Sequence, residues 1–106
     1  MKIYLTNTTI IPNDGMYSCE SCSLETVKSI FKECEVTSAI GHESTAAVVS
    51  AIVGVDVIMN RINVSMEVDD VMVAFKLNQR APEGRILSAQ EIEKIGYSFK
   101  IIERIK

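Results

Sequence analysis

The sequence predicts an α/β fold: one domain over residues 1–106, a mixed β-sheet of about five strands with flanking helices. Three observations predict it. Strand-length apolar runs alternate with helix-length ones, cap residues bracket the helical segments, and the chain is the right size for one core. With 106 residues, 47% hydrophobic and 24% charged, it is long enough for one domain and too short for two.

The elements follow in order. Lys2–Asn7 reads as a strand, with Ile3 and Leu5 on one face and Tyr4 on the other. Thr8 to Gly15 is a loop containing Pro12 and the turn signal Asn13-Asp14-Gly15. Ser23 suits an N-cap, and Leu24, Val27, Ile30, Phe31 and Cys34 then recur at helical spacing as one apolar stripe. Val36–Ile40 is a short apolar run that delivers Gly41 and His42. Thr45–Val53 is rich in Ala and Val and reads as a buried helix stopped by Gly54.

Arg61–Val68 alternates, with Ile62, Val64, Met66 and Val68 inward and Arg61, Asn63, Ser65 and Glu67 outward. It is expected to pair with the next strand as an antiparallel hairpin turning at Asp69-Asp70. Val71–Leu77 is almost continuously apolar, as in a central strand covered on both faces. Asn78–Arg85 is a polar loop with Pro82 and Gly84. Ser88 and Glu91 match a capping box, which opens a short helix Ala89–Ile95 ended by Gly96. Tyr97–Ile105 alternates as a last strand. The expected order is β, α, β, α, β, β, α, β, with right-handed crossovers in the strand-helix-strand units.

Composition excludes several classes. The net charge of −3 argues against a protein that coats long nucleic acid, though not against a small anion held by a few local arginines. Three cysteines are an odd number and do not suit a secreted disulfide scaffold. The N-terminal apolar run is too short for a signal peptide, and the nearly uncharged stretch Ser44–Val55 is too short for a membrane span. The expectation is a soluble cytoplasmic protein. No phosphate loop, no Gly-x-Gly-x-x-Gly and no Gly-x-Ser-x-Gly elbow occurs.

One histidine is present, in Ile40-Gly41-His42-Glu43-Ser44-Thr45. A ring at a helix mouth can serve as an acid/base group beside an anion held by the free N–H groups of Ser44, Thr45 and Ala46. The plainer reading is that Ser44 caps the helix and His42 fills a turn. Arg80, Glu83 and Arg85 lie in the loop after the central strand, where α/β proteins place ligands. Arg80 suits a forked phosphate contact, and Glu83 suits orienting His42 or a ribose hydroxyl; the plainer reading is a solvated turn. Arg61 suits a second phosphate clamp or an ordinary outward strand residue. Lys76 interrupts an apolar strand, which points to a cleft or to an edge facing solvent. Cys19-x-x-Cys22 with Cys34 and His42 contains the donors of a zinc site, but only the first spacing suits one. Three free thiols and no metal or other cofactor are expected.

Together these segments resemble a known family. They are Ile3-Tyr4-Leu5-Thr6-Asn7, then Ser38-Ala39-Ile40-Gly41-His42-Glu43-Ser44-Thr45-Ala46, then Asn60-Arg61, and Arg80-Ala81-Pro82-Glu83-Gly84-Arg85-Ile86-Leu87. The chain resembles, over nearly its whole length, the ring nucleases first recognised as viral anti-CRISPR proteins, which have relatives on bacterial mobile elements and chromosomes. The specific part is the Ile-Gly-His-(Asp/Glu)-Ser-Thr core.

The resemblance implies a homodimer with a mixed sheet and flanking helices. It implies binding of cyclic tetra-adenylate across the dimer axis and metal-independent cleavage to linear di-adenylate carrying a 2′,3′-cyclic phosphate, dampening type III CRISPR signalling. By motif position it makes His42 the general acid and Glu83 its helper. Arg61 and Arg80 match ligand-contacting arginines, Ser44 a polar contact beside the histidine, and Asn7 the polar loop after the first strand. Two departures stand out. Lys76 takes the place of a ligand-contacting glutamine, and an early pocket serine has no clear counterpart, its place falling to Thr8 or Thr9. The Cys19-x-x-Cys22 insert is outside the family pattern. The readings left beside this one are a non-catalytic cyclic-nucleotide binder or mobile-element regulator, and a zinc-stabilised interaction module.

Overall fold

The computed structural model describes residues 2–9, 11, 13–79 and 88–106. The helices begin and end where the chain supplies caps. The Ser23 hydroxyl accepts from the Thr26 N–H at 3.2 Å and opens α1 (Leu24–Glu33). Ser88 and Glu91 form a reciprocal capping box at 3.2 Å in both directions and open α3 (Ala89–Ile95). Between them in sequence, α2 (Glu43–Val53) ends on Gly54 at φ 78°, a left-handed position that favours glycine. Gly96, at φ 81°, turns the chain directly from α3 into a strand, and a Cβ there would sit 2.5 Å from the Asn78 side chain.

The strands are β1 (Ile3–Thr6), β2 (Tyr17–Cys22), β3 (Thr37–Ser38), β4 (Val71–Leu77) and β5 (Tyr97–Arg104). They form one mixed sheet in the order β2-β5-β4-β1-β3. β1 lies parallel to both β3 and β4, and β5 lies antiparallel to β4 and β2. The expected mixed α/β domain of five strands is therefore the observed architecture. The three helices among the described residues lie on one face, where Leu5, Val27, Val49, Phe75, Ile92 and Phe99 join a single core. Burying each such large side chain contributes about 1.5–3 kcal/mol. Among the described residues no helix is long and apolar enough to cross a membrane.

Two strands differ from the sequence expectation. Residues 61–68 do not form a strand, and no hairpin turns at Asp69-Asp70. Both sides of β4 are already taken by β1 and β5, so no ladder position is left. The segment instead crosses the sheet face opposite the helices. Val64 and Met66 do point inward as the alternation implied, onto Met72, Ile102 and Tyr17, whereas Ile62 and Val68, expected inward with them, are exposed. Its backbone is satisfied by side chains: Asn13 Nδ2 donates to the Met66 carbonyl at 3.0 Å, and the Met66 N–H donates to Asn13 Oδ1 at 3.1 Å. The fifth strand is β2, which lies within a stretch read only for its cysteines. It is a polar edge strand without the apolar alternation that marks a half-buried one.

Cys19 and Cys22 pair with Ile102 and Phe99 of β5, three residues apart along β2, and so lie on opposite sheet faces. That separation dismantles the cysteine-histidine zinc set. Among the described residues no group of three His, Cys, Asp or Glu side chains converges as a metal site. Burial pushes the Cys22 thiol up, whereas Cys19 and Cys34 are exposed. At pH ~8, iodoacetamide followed by peptide mass spectrometry is expected to modify Cys19 and Cys34 before Cys22. Equal rates at the three would contradict the placement of β2.

Among the described residues Asp70 is the buried charge, 4% exposed. Its carboxylate accepts from the Lys2 N–H at 2.8 Å and the Glu67 N–H at 2.9 Å. Burial pushes this carboxyl up, but the two backbone donors and the Lys2 ammonium outweigh it and hold it below the ordinary value. A depressed folded value means its stabilisation is present above the unfolded value of about 3.9 and is lost as pH falls through the folded one. Asp70→Asn is expected to lower stability by about 1–3 kcal/mol at pH 7, since one amide end cannot accept. In urea titrations the gap between variant and wild type should narrow below pH ~4.

Candidate functional site

In parallel strands the carboxyl ends face one way, and ligands collect beyond them. Here those ends belong to β1, β3 and β4. Beyond β1 come Asn7, Thr8 and Thr9, all exposed, with the Thr6 hydroxyl turned back onto the Thr8 carbonyl at 2.8 Å. Beyond β3 come Gly41 and His42. At the end of β4 stands Lys76, exposed although its strand is third of five. Its exposure therefore comes from its place near the strand terminus, on the face away from the helices, and not from a sheet edge. Gly41, His42 and Lys76 are thus brought to the same end of the sheet as the Asn7–Thr9 loop.

His42 is itself the N-cap of α2, in an extended conformation (φ −129°, ψ 129°). Its carbonyl accepts from the Ala46 N–H at 3.0 Å, while its ring makes no capping hydrogen bond and is exposed. This corrects the expectation that Ser44 caps: Ser44 lies one residue inside the helix. It also moves the free donors by one position. Glu43, Ser44 and Thr45 supply the N–H groups of the first turn that have no intrahelical acceptor, and Ala46 does not. The positive helix end and the imidazole therefore share one mouth.

Arg61 reaches that mouth from far along the chain. Ser38 Oγ donates to the Ile58 carbonyl at 2.7 Å, and Asn60 Nδ2 donates to the Ser38 carbonyl at 2.8 Å. The Asn60 N–H donates to the Ile40 carbonyl at 2.8 Å, and Arg61 Nε donates to the Gly41 carbonyl at 2.8 Å. These bonds extend the edge beyond β3 and fix the guanidinium one residue from His42. One of its five N–H donors is spent on Gly41, leaving four for a ligand. Gly41 leaves room for the approach, since a Cβ there would press on Arg61 Cγ at 3.3 Å. Arg61 is a candidate on sequence alone, but the clamp of Ser38 and Asn60 that holds it is not. The only local signal was a polar Asn before the Arg.

Arg80 and Glu83 lie outside the described residues. The chain enters that stretch at Asn78 and Gln79, directly after β4, and Asn78 donates its N–H to the Gly96 carbonyl at 2.9 Å. The site as described thus combines a helix mouth, one imidazole, one tethered guanidinium, a lysine and a hydroxyl-rich loop. That set can hold a phosphate and deliver one proton.

Comparison with known proteins shows the same fold and a family of viral and bacterial relatives. Residues 3–99 match the model of the STIV B116-like family. An uncharacterised protein of Acidianus two-tailed virus, ORF117, is 34% identical over a 110-residue alignment, covering 98% of this chain and 94% of the viral protein. The uncharacterised YddF of Bacillus subtilis is 29% identical, covering 99% of each chain. The solved structure of B116 of Sulfolobus turreted icosahedral virus superposes with a TM-score of 0.84 at 25% identity, covering 98% of this chain and all of that one.

Asn60→Ala strands the Ser38 carbonyl and is expected to lower stability by about 1–2 kcal/mol. It should also displace the His42 ring resonances in NMR spectra. Ser23→Ala, which removes the α1 cap at a cost of about 1 kcal/mol, should leave those resonances in place. If neither variant moves the ring signals, Asn60 does not shape the site.

Proposed function

The chain belongs to the STIV B116-like family, and we propose that it is a metal-independent ring nuclease that opens cyclic tetra-adenylate and so dampens type III CRISPR signalling. The observation that carries the reading is the exposed imidazole at the α2 mouth, relieved of capping, with the Arg61 guanidinium anchored on the carbonyl of the neighbouring Gly41. The resemblance of Ile40-Gly41-His42-Glu43-Ser44-Thr45 to the ring-nuclease core supports it. So does a sheet end that gathers Asn7, Thr8, Thr9 and Lys76 beside the same mouth.

The chemistry asks little of the protein. RNA carries its nucleophile, the ribose 2′-hydroxyl. It attacks the adjacent phosphorus in line, its proton leaves to water, and the P–O5′ bond breaks. His42 donates a proton to the departing 5′-oxygen, and a 2′,3′-cyclic phosphate remains. Arg61, the first-turn N–H groups of α2 and Arg80 offset the charge that builds on the phosphorane. Glu83 orients His42, Ser44 contacts the ring nucleotide beside it, and Lys76 meets a phosphate where the family has a glutamine. The remaining binding surface comes from Asn7 with Thr8 or Thr9. Two cuts yield two linear di-adenylates.

One imidazole per subunit suffices if the enzyme is a homodimer, because a two-fold axis presents two to a near-symmetric ring. Ile58, 64% exposed, and Met59, 46% exposed, adjoin Asn60 and Arg61 and offer apolar surface for that contact.

The test is incubation of labelled cyclic tetra-adenylate with protein and EDTA. Linear di-adenylate with a 2′,3′-cyclic phosphate is expected. His42→Ala should slow the cut by about 10²–10⁴-fold, the span of one positioned general acid. A variant as fast as wild type would remove His42 from the mechanism. Tight binding of the ring without turnover would instead identify a non-catalytic nucleotide sink or regulator.

A further inference from the structure

Directly paired residues in a sheet share a face, so the strand register sorts every side chain of this sheet to one side or the other. The helix-free side carries Tyr4 and Thr6 from β1, Met72, Ala74 and Lys76 from β4, and Ser98, Lys100, Ile102 and Arg104 from β5, with Tyr17, Cys19 and Ser21 from β2. The carboxylates of these four strands, Glu20 and Glu103, both fall on the helix side. An acidic protein of net charge −3 thus keeps one sheet face with cations and no strand carboxylate.

Two of those cations are neighbours. Lys100 pairs with Ala74, and Lys76 pairs with Ser98, so the two lysines stand on a diagonal across adjacent strands. Such positions are roughly 7–8 Å apart at the backbone, close enough for two long side chains to meet over one group. Between them Ala74 offers only a methyl, and it is buried. Around them stand hydroxyls: Ser98 beside Lys76, and Ser21, which accepts from Lys100 Nζ at 3.4 Å. Lys76, Ser98 and Ser21 are exposed, and Lys100 is half-buried. Like charges placed this way repel in the free protein, and an anion between them removes the repulsion. Arg104, further down the same face, is engaged by the Met66 carbonyl at 2.6 Å and is not part of the pair.

We infer that Lys76 and Lys100 jointly bind one phosphate of a nucleotide strand, with Ser21 and Ser98 as hydroxyl partners, making Lys100 a binding residue beyond the helix mouth. The inference rests on the proposed nucleotide function for its ligand class. The register alone supplies the geometry. The site lies on the sheet face below Lys76, so it extends the bound strand away from His42 along β5.

The test measures binding of fluorescein-labelled linear tetra-adenylate RNA by anisotropy over a salt series, alongside ring cleavage. Lys100→Gln is expected to weaken RNA binding about tenfold and to flatten the log-affinity against log-salt line by roughly 0.7, the loss of one phosphate contact to a single strand. Lys100→Arg should restore both. Lys76→Gln should act alike, and the double variant should lose less than the product of the two single losses, because both hold one phosphate. Unchanged affinity and slope in Lys100→Gln would overturn the site, even with ring cleavage intact. Lys100-dependent RNA binding by a protein that fails to cut the ring would keep the site and overturn the nuclease reading. Failure of wild type to bind the RNA or cut the ring would overturn both.

Discussion

The fold turns on one buried carboxylate. Asp70 takes N–H groups from Lys2 and Glu67 at the moment the chain enters β4. Its own carbonyl accepts from Arg104 at 3.1 Å, while Asp69, at φ 75°, donates to the Arg104 carbonyl at 2.9 Å. One turn therefore ties the beginning of β1, the crossing segment, the beginning of β4 and the end of β5. A buried charge without such partners would cost several kcal/mol. With them it becomes a register lock. Because β1 and β4 leave this point together and in parallel, their other ends arrive together, and that is where the candidate site stands.

The same logic runs at the opposite end through weaker, neutral bonds. Ser38 and Asn60 join the chain after β3 to the chain after α2, and Arg61 finishes the seam on Gly41. The site is thus assembled by loops whose backbone is held from both sides, on a sheet whose lower end is fixed by charge. Binding residues placed on loops over a rigid frame are the usual economy of α/β proteins. Here the frame lends the loops most of its order.

Much of this was legible in the residues. Ser23, the Ser88–Glu91 box, Gly54 and Gly96 located helix ends because capping is local chemistry. The apolar run of β4 marked a central strand because both its faces are covered. Two elements were not legible, for physical reasons. The alternation of 61–68 reports at most a tendency to bury one side, met here by Val64 and Met66 alone; it does not say whether the backbone finds a ladder, and this one finds Asn13 instead. β2 is an edge strand of Ser, Cys and Glu, whose pairing depends on β5, some eighty residues away, and leaves no trace in local pattern. At the site, His42 and Arg61 were visible as residue types, but the identity of the true cap and the clamp on Arg61 are tertiary facts. Lys100 is a polar position of an alternating strand, and only the register puts Lys76 beside it.

The way α2 begins has an evolutionary consequence. The residue at position 42 holds the helix start through its main chain, and its ring contributes nothing to that start. Exchange there spares the scaffold. On the proposed reading, one codon separates a cutting protein from a silent receptor that still gathers its messenger, so descendants of either kind can arise without passing through an unfolded ancestor.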